Sequence, residues 1–411
     1  MRSLGVCAIL LALAVVVPAP ADRGPFEPLW ALGALVLLGV LVQNVFGRLR
    51  LPAIAAWVLA GLILGPSLLG VVEPARVQLL TLCVALTGIW AGLLVGVGAS
   101  WARSRRGWTL PLVTCASTLL IFFVMVIAIS VLTSLPLTMA LVLSAIAALW
   151  GPVLGDFWHN REAQIIGLVG AAFALLLLSA VLGAQIPSHG FDWVTRLWLA
   201  PVLGAVSSEI LWRIRVLERK GPALLSLTAW TVVAALAAQQ FQLPVLPLGL
   251  GAGLALAARQ GSERQLEHLL VPARATIILL FAALLVASTN ASSLLWPIPA
   301  GLLEIVAVQV VAIVLIRGVG PVLWYPLPPA AEFSRRSGWL LLPRGLVAGE
   351  IVLGAGATLP GLLAVHDAAL LQAVVLADLL IGCLLFASLA AFVPTPPLPA
   401  PSVTETRTES L

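Results

Sequence analysis

Three carboxylic acids in this chain stand where an acid is hard to keep. Glu304, Glu350 and Asp378 each fall about midway along a long apolar run. An ionisable group at mid-depth in a bilayer is unfavourable and marks a candidate ion or proton path. The chemistry open to such a carboxylate is reversible protonation or binding of a small cation, because burial and neighbouring charge tune its ionisation. A structural reading stands beside this one: Asp378, Glu350 and Arg344 as a buried ion-pair cluster that never changes protonation, since a buried charge needs a partner. Glu209, a fourth acid inside an apolar run, precedes Arg213 by one helical turn and reads as an interfacial ion pair. The four cysteines, Cys7, Cys83, Cys115 and Cys383, lie in apolar runs without metal-ligand spacing. No nucleophile is grouped with a base. An enzyme, a metal centre and a bound cofactor are therefore not expected.

The elements that position these acids must be membrane helices. The 411-residue chain is 61% hydrophobic and 9% charged, with a mean hydropathy of +1.11, against roughly 25% charged for a soluble domain. Apolar stretches at 29–47, 51–72, 78–99, 109–133, 136–154, 164–186, 196–212, 222–240, 243–258, 270–288, 294–317, 338–358 and 366–393 predict an all-α polytopic membrane protein of about 13 transmembrane helices. The net charge of +5 does not signal nucleic acid, because the basic residues are scattered in small groups between the spans. Arg48, Arg50, Arg103, Arg105, Arg106, Arg161, Arg213, Arg215, Arg219, Lys220, Arg335 and Arg336 fall in alternate loops, while the other loops hold only Arg23, Arg76 and Arg196. That asymmetry places the N-terminus outside and the C-terminus in the cytoplasm. Residues 1–21, with Arg2, a short apolar stretch and Ala19-Pro20-Ala21, read as a signal peptide, with an uncleaved extra helix as the alternative. The proline-rich end, residues 394–411, reads as a disordered cytoplasmic tail.

Leu51-Pro52-Ala53-Ile54 leading into Ala60-Gly61-Leu62-Ile63-Leu64-Gly65-Pro66-Ser67-Leu68-Leu69-Gly70 resembles the second-helix signature of the monovalent cation:proton antiporter superfamily. Ile316-Arg317-Gly318-Val319-Gly320, followed about 25 residues later by Leu342-Pro343-Arg344-Gly345-Leu346-Val347-Ala348, is similar to the two arginine-bearing helices of sodium/proton exchangers. A weaker match runs from Leu250-Gly251-Ala252-Gly253-Leu254-Ala255 to Leu280-Phe281-Ala282-Ala283-Leu284-Leu285. The resemblance covers most of the transmembrane domain, residues 29–393. It implies two inverted repeats, a mobile core built from 109–186 and 294–393, a scaffold that also forms a homodimer, and two broken helices crossing at mid-membrane. Gly151 and Pro152 match one helix break, although Gly-Pro could equally end that helix at the inner face. Pro343 and Gly345 would form part of the other. Arg317 and Arg344 would stabilise the core, the alternative being arginines that extend to the lipid phosphates.

The chain departs from the family at one place. Where the family's sixth helix carries an Asp-Asp or Asn-Asp pair, this chain reads Ile166-Gly167-Leu168-Val169-Gly170-Ala171-Ala172-Phe173-Ala174-Leu175. Neither alanine nor leucine can exchange a proton for a cation. The expectation is a secondary transporter in a bacterial inner membrane, exchanging sodium or potassium for protons, with Asp378, Glu350 and Glu304 as binding candidates tuned by Arg344 and Arg317. The rivals are a transport-inactive relative with a binding or regulatory role, and a channel or uniporter. Topology gives the first test: cysteines placed at positions 105 and 335 and in the tail should not react with an impermeant maleimide applied to intact cells. External labelling of the tail would mean an even number of spans.

Overall fold

The computed structural model describes residues 27–49, 51, 53–66, 68–69, 78–98, 109–133, 135–149, 161–185, 190–213, 220–258, 276–289, 301–313, 315, 349–350, 352 and 365–381. The expected signal peptide, the tail, and Gly151, Pro152, Arg317, Pro343, Arg344 and Gly345 lie outside them. Among the described residues the regular structure is entirely helical. In chain order the helices are α1 (Glu27–Arg48), α2 (Ala53–Leu64), α3 (Gln78–Gly98), α4 (Thr109–Leu132), α5 (Leu137–Ala148), α6 (Arg161–Gln185), α7 (Gly190–Arg213), α8 (Lys220–Phe241), α9 (Val245–Ala257), α10 (Thr276–Ala287), α11 (Leu302–Ile313) and α12 (Val365–Ile381). Three of them, α1, α4 and α7, contain stretches long and apolar enough to cross a membrane.

The outside of the bundle is as apolar as its inside. On α4, Ile121, Met125 and Ile129 are buried, while Phe123, Ile127 and Val131, two residues out of phase, form an exposed stripe that reaches 76% exposure at Val131. On α7, Leu199, Val202, Leu203, Val206 and Ile210 make a second exposed stripe at helical spacing. Patches of this kind are rare on proteins in water. Lipid chains are their natural solvent. By contrast α10 is apolar all round and buried from Phe281 to Ala287, as a helix enclosed on every side should be.

Packing divides the described helices into two main groups. In one, α9 lies against α3 and α7, and α3 lies against α8; in the other, α4, α5 and α6 pack mutually, with α11 joining α4 and α12 joining α11. Their apolar cores centre on Ile89, Leu93, Ala235, Leu248 and Ala252 in the first and on Met125, Met139, Leu143, Ala174, Ile305 and Leu371 in the second, and Ala91, Leu197 and Leu246 of the first group join the second core. A smaller core joins α1 and α2 to α10.

Glycine sets the spacing within the first group. A Cβ on Gly92 would fall on the Leu246 carbonyl oxygen, and one on Gly253 would fall on that of Leu93, so α3 and α9 touch backbone to backbone. On the opposite face of α9 a Cβ on Gly251 would fall on the Pro201 carbonyl, and one on Gly204 of α7 on the Leu248 carbonyl. Between lipid-embedded helices there is no hydrophobic gain from burying apolar surface, and small residues let van der Waals packing take its place.

Ends expected to share a membrane face meet in the structure. Arg196, near the start of α7, donates to Gln242 in the turn between α8 and α9, and Gln239 at the end of α8 donates to Thr81 at the start of α3 at 3.4 Å. The Glu209–Arg213 pair forms at 3.1 Å, as its spacing predicts.

A methyl group separates the two kinds of glycine. Gly92→Ala should lower the thermal stability of the detergent-solubilised protein by about 1–3 kcal/mol through overpacking. Gly33→Ala on α1, where a Cβ meets nothing within 4 Å, should leave the melting temperature unchanged or raise it. Equal melting temperatures for the two variants would contradict the backbone contact.

Candidate functional site

Two of the three candidate acids, Glu350 and Asp378, are buried on elements that touch. Gly349 is helical and Glu350 and Val352 lie in a wider, π-helical turn, a geometry common at functional sites. A Cβ on Gly349 would sit 3.1 Å from both Leu285 Cδ2 of α10 and Leu379 Cδ1 of α12. Asp378 directly precedes Leu379. Glu350 is 6% exposed and Asp378 is 5% exposed, so both carboxyl groups have left bulk solvent.

Glu350 has a defined set of partners. Its Oε1 accepts from the Val245 amide and, at 3.1 Å, from the Leu246 amide, which also lies 3.2 Å from Oε2. These are the first two amides of α9. The N-cap of that helix is Pro244, which offers no side-chain cap, so an acid about a hundred residues further along the chain satisfies donors that a local Ser or Asp ordinarily would. A carboxylate also complements the positive end of the helix dipole. No arginine of the expected Arg344 cluster is among the described residues, and the partners of Glu350 there are backbone amides.

Glu304 corrects the sequence reading. It was expected midway along a span, but α11 starts at Leu302, after Gly301 in the left-handed region at φ +81, and Glu304 falls in its first turn, exposed. An acid at a helix N-terminus is ordinary, and exposure removes the reason for treating it as a buried site. The break expected at Gly151 and Pro152 lies just beyond a helix end that is described: α5 stops at Ala148 and Leu149 is extended at φ −61, ψ 111. Its 12 residues span about 18 Å, well short of the roughly 30 Å hydrocarbon core.

The α6 helix presents Ala174, Leu178 and Leu182 to the core and also buries Ala171, and its only ionisable residues are Arg161 and Glu162 at the start. Neutral polar groups occupy the same bundle. Thr118 and Ser144 donate back to the Thr114 and Ala140 carbonyls at 2.8 and 2.6 Å, and Ser179 accepts from Trp198 Nε1 at 2.9 Å. Gln309, fully buried on α11, was missed by a search for ionisable residues. A lone amide in Ile305-Val306-Ala307-Val308-Gln309-Val310-Val311 was the available signal. An open groove at the end of α1 is lined, among the described residues, by Gln43, Asn44, Gly47, Arg48, Leu51 and Ala53, none of them acidic.

The architecture has solved counterparts. A structure of the sodium proton antiporter MjNhaP1 from Methanocaldococcus jannaschii at pH 8 superposes with a TM-score of 0.56 over 89% of this chain and 98% of that one, at 19% identity. A second, from an electron-microscopy map of the same antiporter, gives 0.62 over 90% and 97%, at 18% identity. This chain has the fold of a sodium/proton antiporter. No family model matches the sequence, and no curated protein does. The antiporter fold therefore extends over nearly the whole chain, and at this identity the likeness is one of architecture. The chemistry must be argued from the residues present.

The two acids should respond differently to truncation. Glu350→Ala leaves buried helix-start amides without an acceptor and should cost about 1–3 kcal/mol, read as a lower melting temperature. Glu304→Ala should stay within about 0.5 kcal/mol of the parent, as for other exposed positions. The reverse order would remove the basis for this site.

Proposed function

We propose that the protein is a secondary transporter that exchanges a monovalent cation, sodium or potassium, for protons, with Asp378 as the essential carboxylate and Glu350 beside it. The observation that carries this reading is the pair of buried acids, from adjacent elements, within an antiporter fold. In inverted-repeat transporters the substrate site lies near mid-membrane between the repeats. In this chain the acidic function has moved from the sixth helix of the first repeat to its counterpart in the second, α12. A buried carboxylate can serve both ions, because it is neutral when protonated and offers oxygen ligands when ionised. Arg344 and Arg317 would tune it, and the breaks at Gly151, Pro152, Pro343 and Gly345 would admit the ion. We place the chain in a bacterial plasma membrane with its N-terminus outside, as a homodimer joined through the scaffold helices.

A second reading is favoured by α6. With Ala171 and Ala174 buried and no acid beyond Glu162, the chain could keep the scaffold and serve as a transport-inactive binding or regulatory protein.

Proteoliposomes containing a pH-sensitive dye distinguish the two. An imposed sodium or potassium gradient should drive proton movement with the parent chain, and Asp378→Asn, which keeps the shape and removes the ionisation, should abolish it. Normal flux from Asp378→Asn would exclude Asp378 as the proton carrier. No flux from the parent with any alkali cation would favour the inactive reading.

A further inference from the structure

A buried carboxylate bridges the two helix groups, beside the Trp198–Ser179 hydrogen bond from α7 to α6 and an apolar core that Leu197 and Leu246 share with the second group. Val352, two residues beyond Glu350, lies in the apolar core built mainly on α4, α5, α6, α11 and α12, to which Ala91 of α3, Leu197 of α7 and Leu246 of α9 also contribute. The amides that Glu350 accepts from belong to α9, which is held by glycine contacts between α3 and α7 in the other group. The connection is therefore polar and directional where the surrounding contacts are apolar. Val245, whose amide is one donor, also packs its side chain towards Gly88 and Phe281, so the clasped end of α9 sits where α3, α9 and α10 converge.

We propose that Glu350 is a releasable clasp between the two helix groups: while its carboxylate caps α9 the groups hold the arrangement seen here, and neutralising it lets them move relative to one another. The proposal deepens the transport reading above and rests on it for its biological use. An ionised carboxylate is a much stronger acceptor than a neutral carboxyl, and it alone is attracted by the helix dipole. Neutralisation by a proton thus weakens both parts of the contact together. Among the described elements packed here, α9 and α10 carry no titratable group, α3 carries only Cys83, and α7 carries Asp192, Arg196, Glu209 and Arg213, of which Arg196 donates to Gln242 just before α9. On α12, Asp378 is the neighbouring acid, with His366 and Asp367 at the start of that helix.

Spin labels on cysteines replacing Ile127 of α4 and Val233 of α8, both outward-facing, report the separation of the groups in the full chain in nanodiscs, with its four native cysteines replaced. In the parent, lowering the pH from about 8 to about 5, across the range open to a perturbed carboxyl, should shift or broaden the distance distribution. Glu350→Gln should show the low-pH distribution at both values. Val245→Pro removes one donor, at a position where a helix tolerates proline, and should move the distribution the same way while Glu350 is intact. Hydrogen exchange at the start of α9 should be roughly tenfold faster or more in Glu350→Gln. If the parent distribution is independent of pH, a measurement that needs no Glu350 variant, the clasp is wrong. It is equally wrong if Glu350→Gln shifts the distances and a folded Val245→Pro does not. The labels report position and not flux. A chain whose groups move on neutralisation but which carries no ion keeps the clasp and loses the transport reading, and a chain that carries ions with unchanged distances does the reverse.

Discussion

The backbone contacts of α9 with α3 and α7 are the constraint on which the first helix group depends. In a bilayer the hydrophobic effect assembles nothing further once the helices are inserted, because lipid and leucine are equally apolar. What remains is close packing, and it is strongest where side chains are absent. Gly88, Gly92 and Gly96 recur every fourth residue on α3; Gly92 and Gly96 face Gly249 and Gly253 of α9 and Gly88 faces the Val245 side chain and Phe281, while Gly251 points the other way towards Pro201 of α7. A helix pinned on two faces in this manner is a rigid post. Its N-terminus consequently sits at a fixed place, and that place is where Glu350 arrives.

This arrangement explains how an acid can be kept out of water without a cationic neighbour among the described residues. Two backbone amides and the aligned peptide dipoles of α9 provide the compensation. The arrangement also separates the two buried acids by role. Glu350 is committed to a helix end, whereas Asp378 lies on α12 next to a residue that packs on Gly349. An acid that caps a helix has that contact to release on protonation.

Fold and chemistry diverge in this protein. The described architecture agrees with a sodium/proton antiporter over about nine-tenths of the chain, yet α6 shows alanine and leucine to the core where the resemblance implies acids. On the proposed reading the titrating group has changed place between the two repeats that the resemblance implies.

The polytopic helical class, the rough number of helices and the Glu209–Arg213 pair were legible in the sequence, because each depends on local composition or on a spacing of one helical turn. The antiporter resemblance was legible for the same reason: it rests on short strings such as Gly61 to Gly70. Glu304 was misjudged because depth was counted from the edges of an apolar run, and only the structure shows that Gly301 starts the helix later and leaves Glu304 exposed in the first turn. Gln309 was passed over because burial of a neutral amide has no one-dimensional signature. The pairing of Glu350 with the first amides of α9 was beyond sequence reading altogether. Its partners carry no side-chain signal, being backbone N–H groups at valine and leucine, and they lie about a hundred residues away. Sequence determined which groups could be charged inside the membrane; the tertiary structure decided which of them meets a helix end, because that depends on where glycine lets other helices stand.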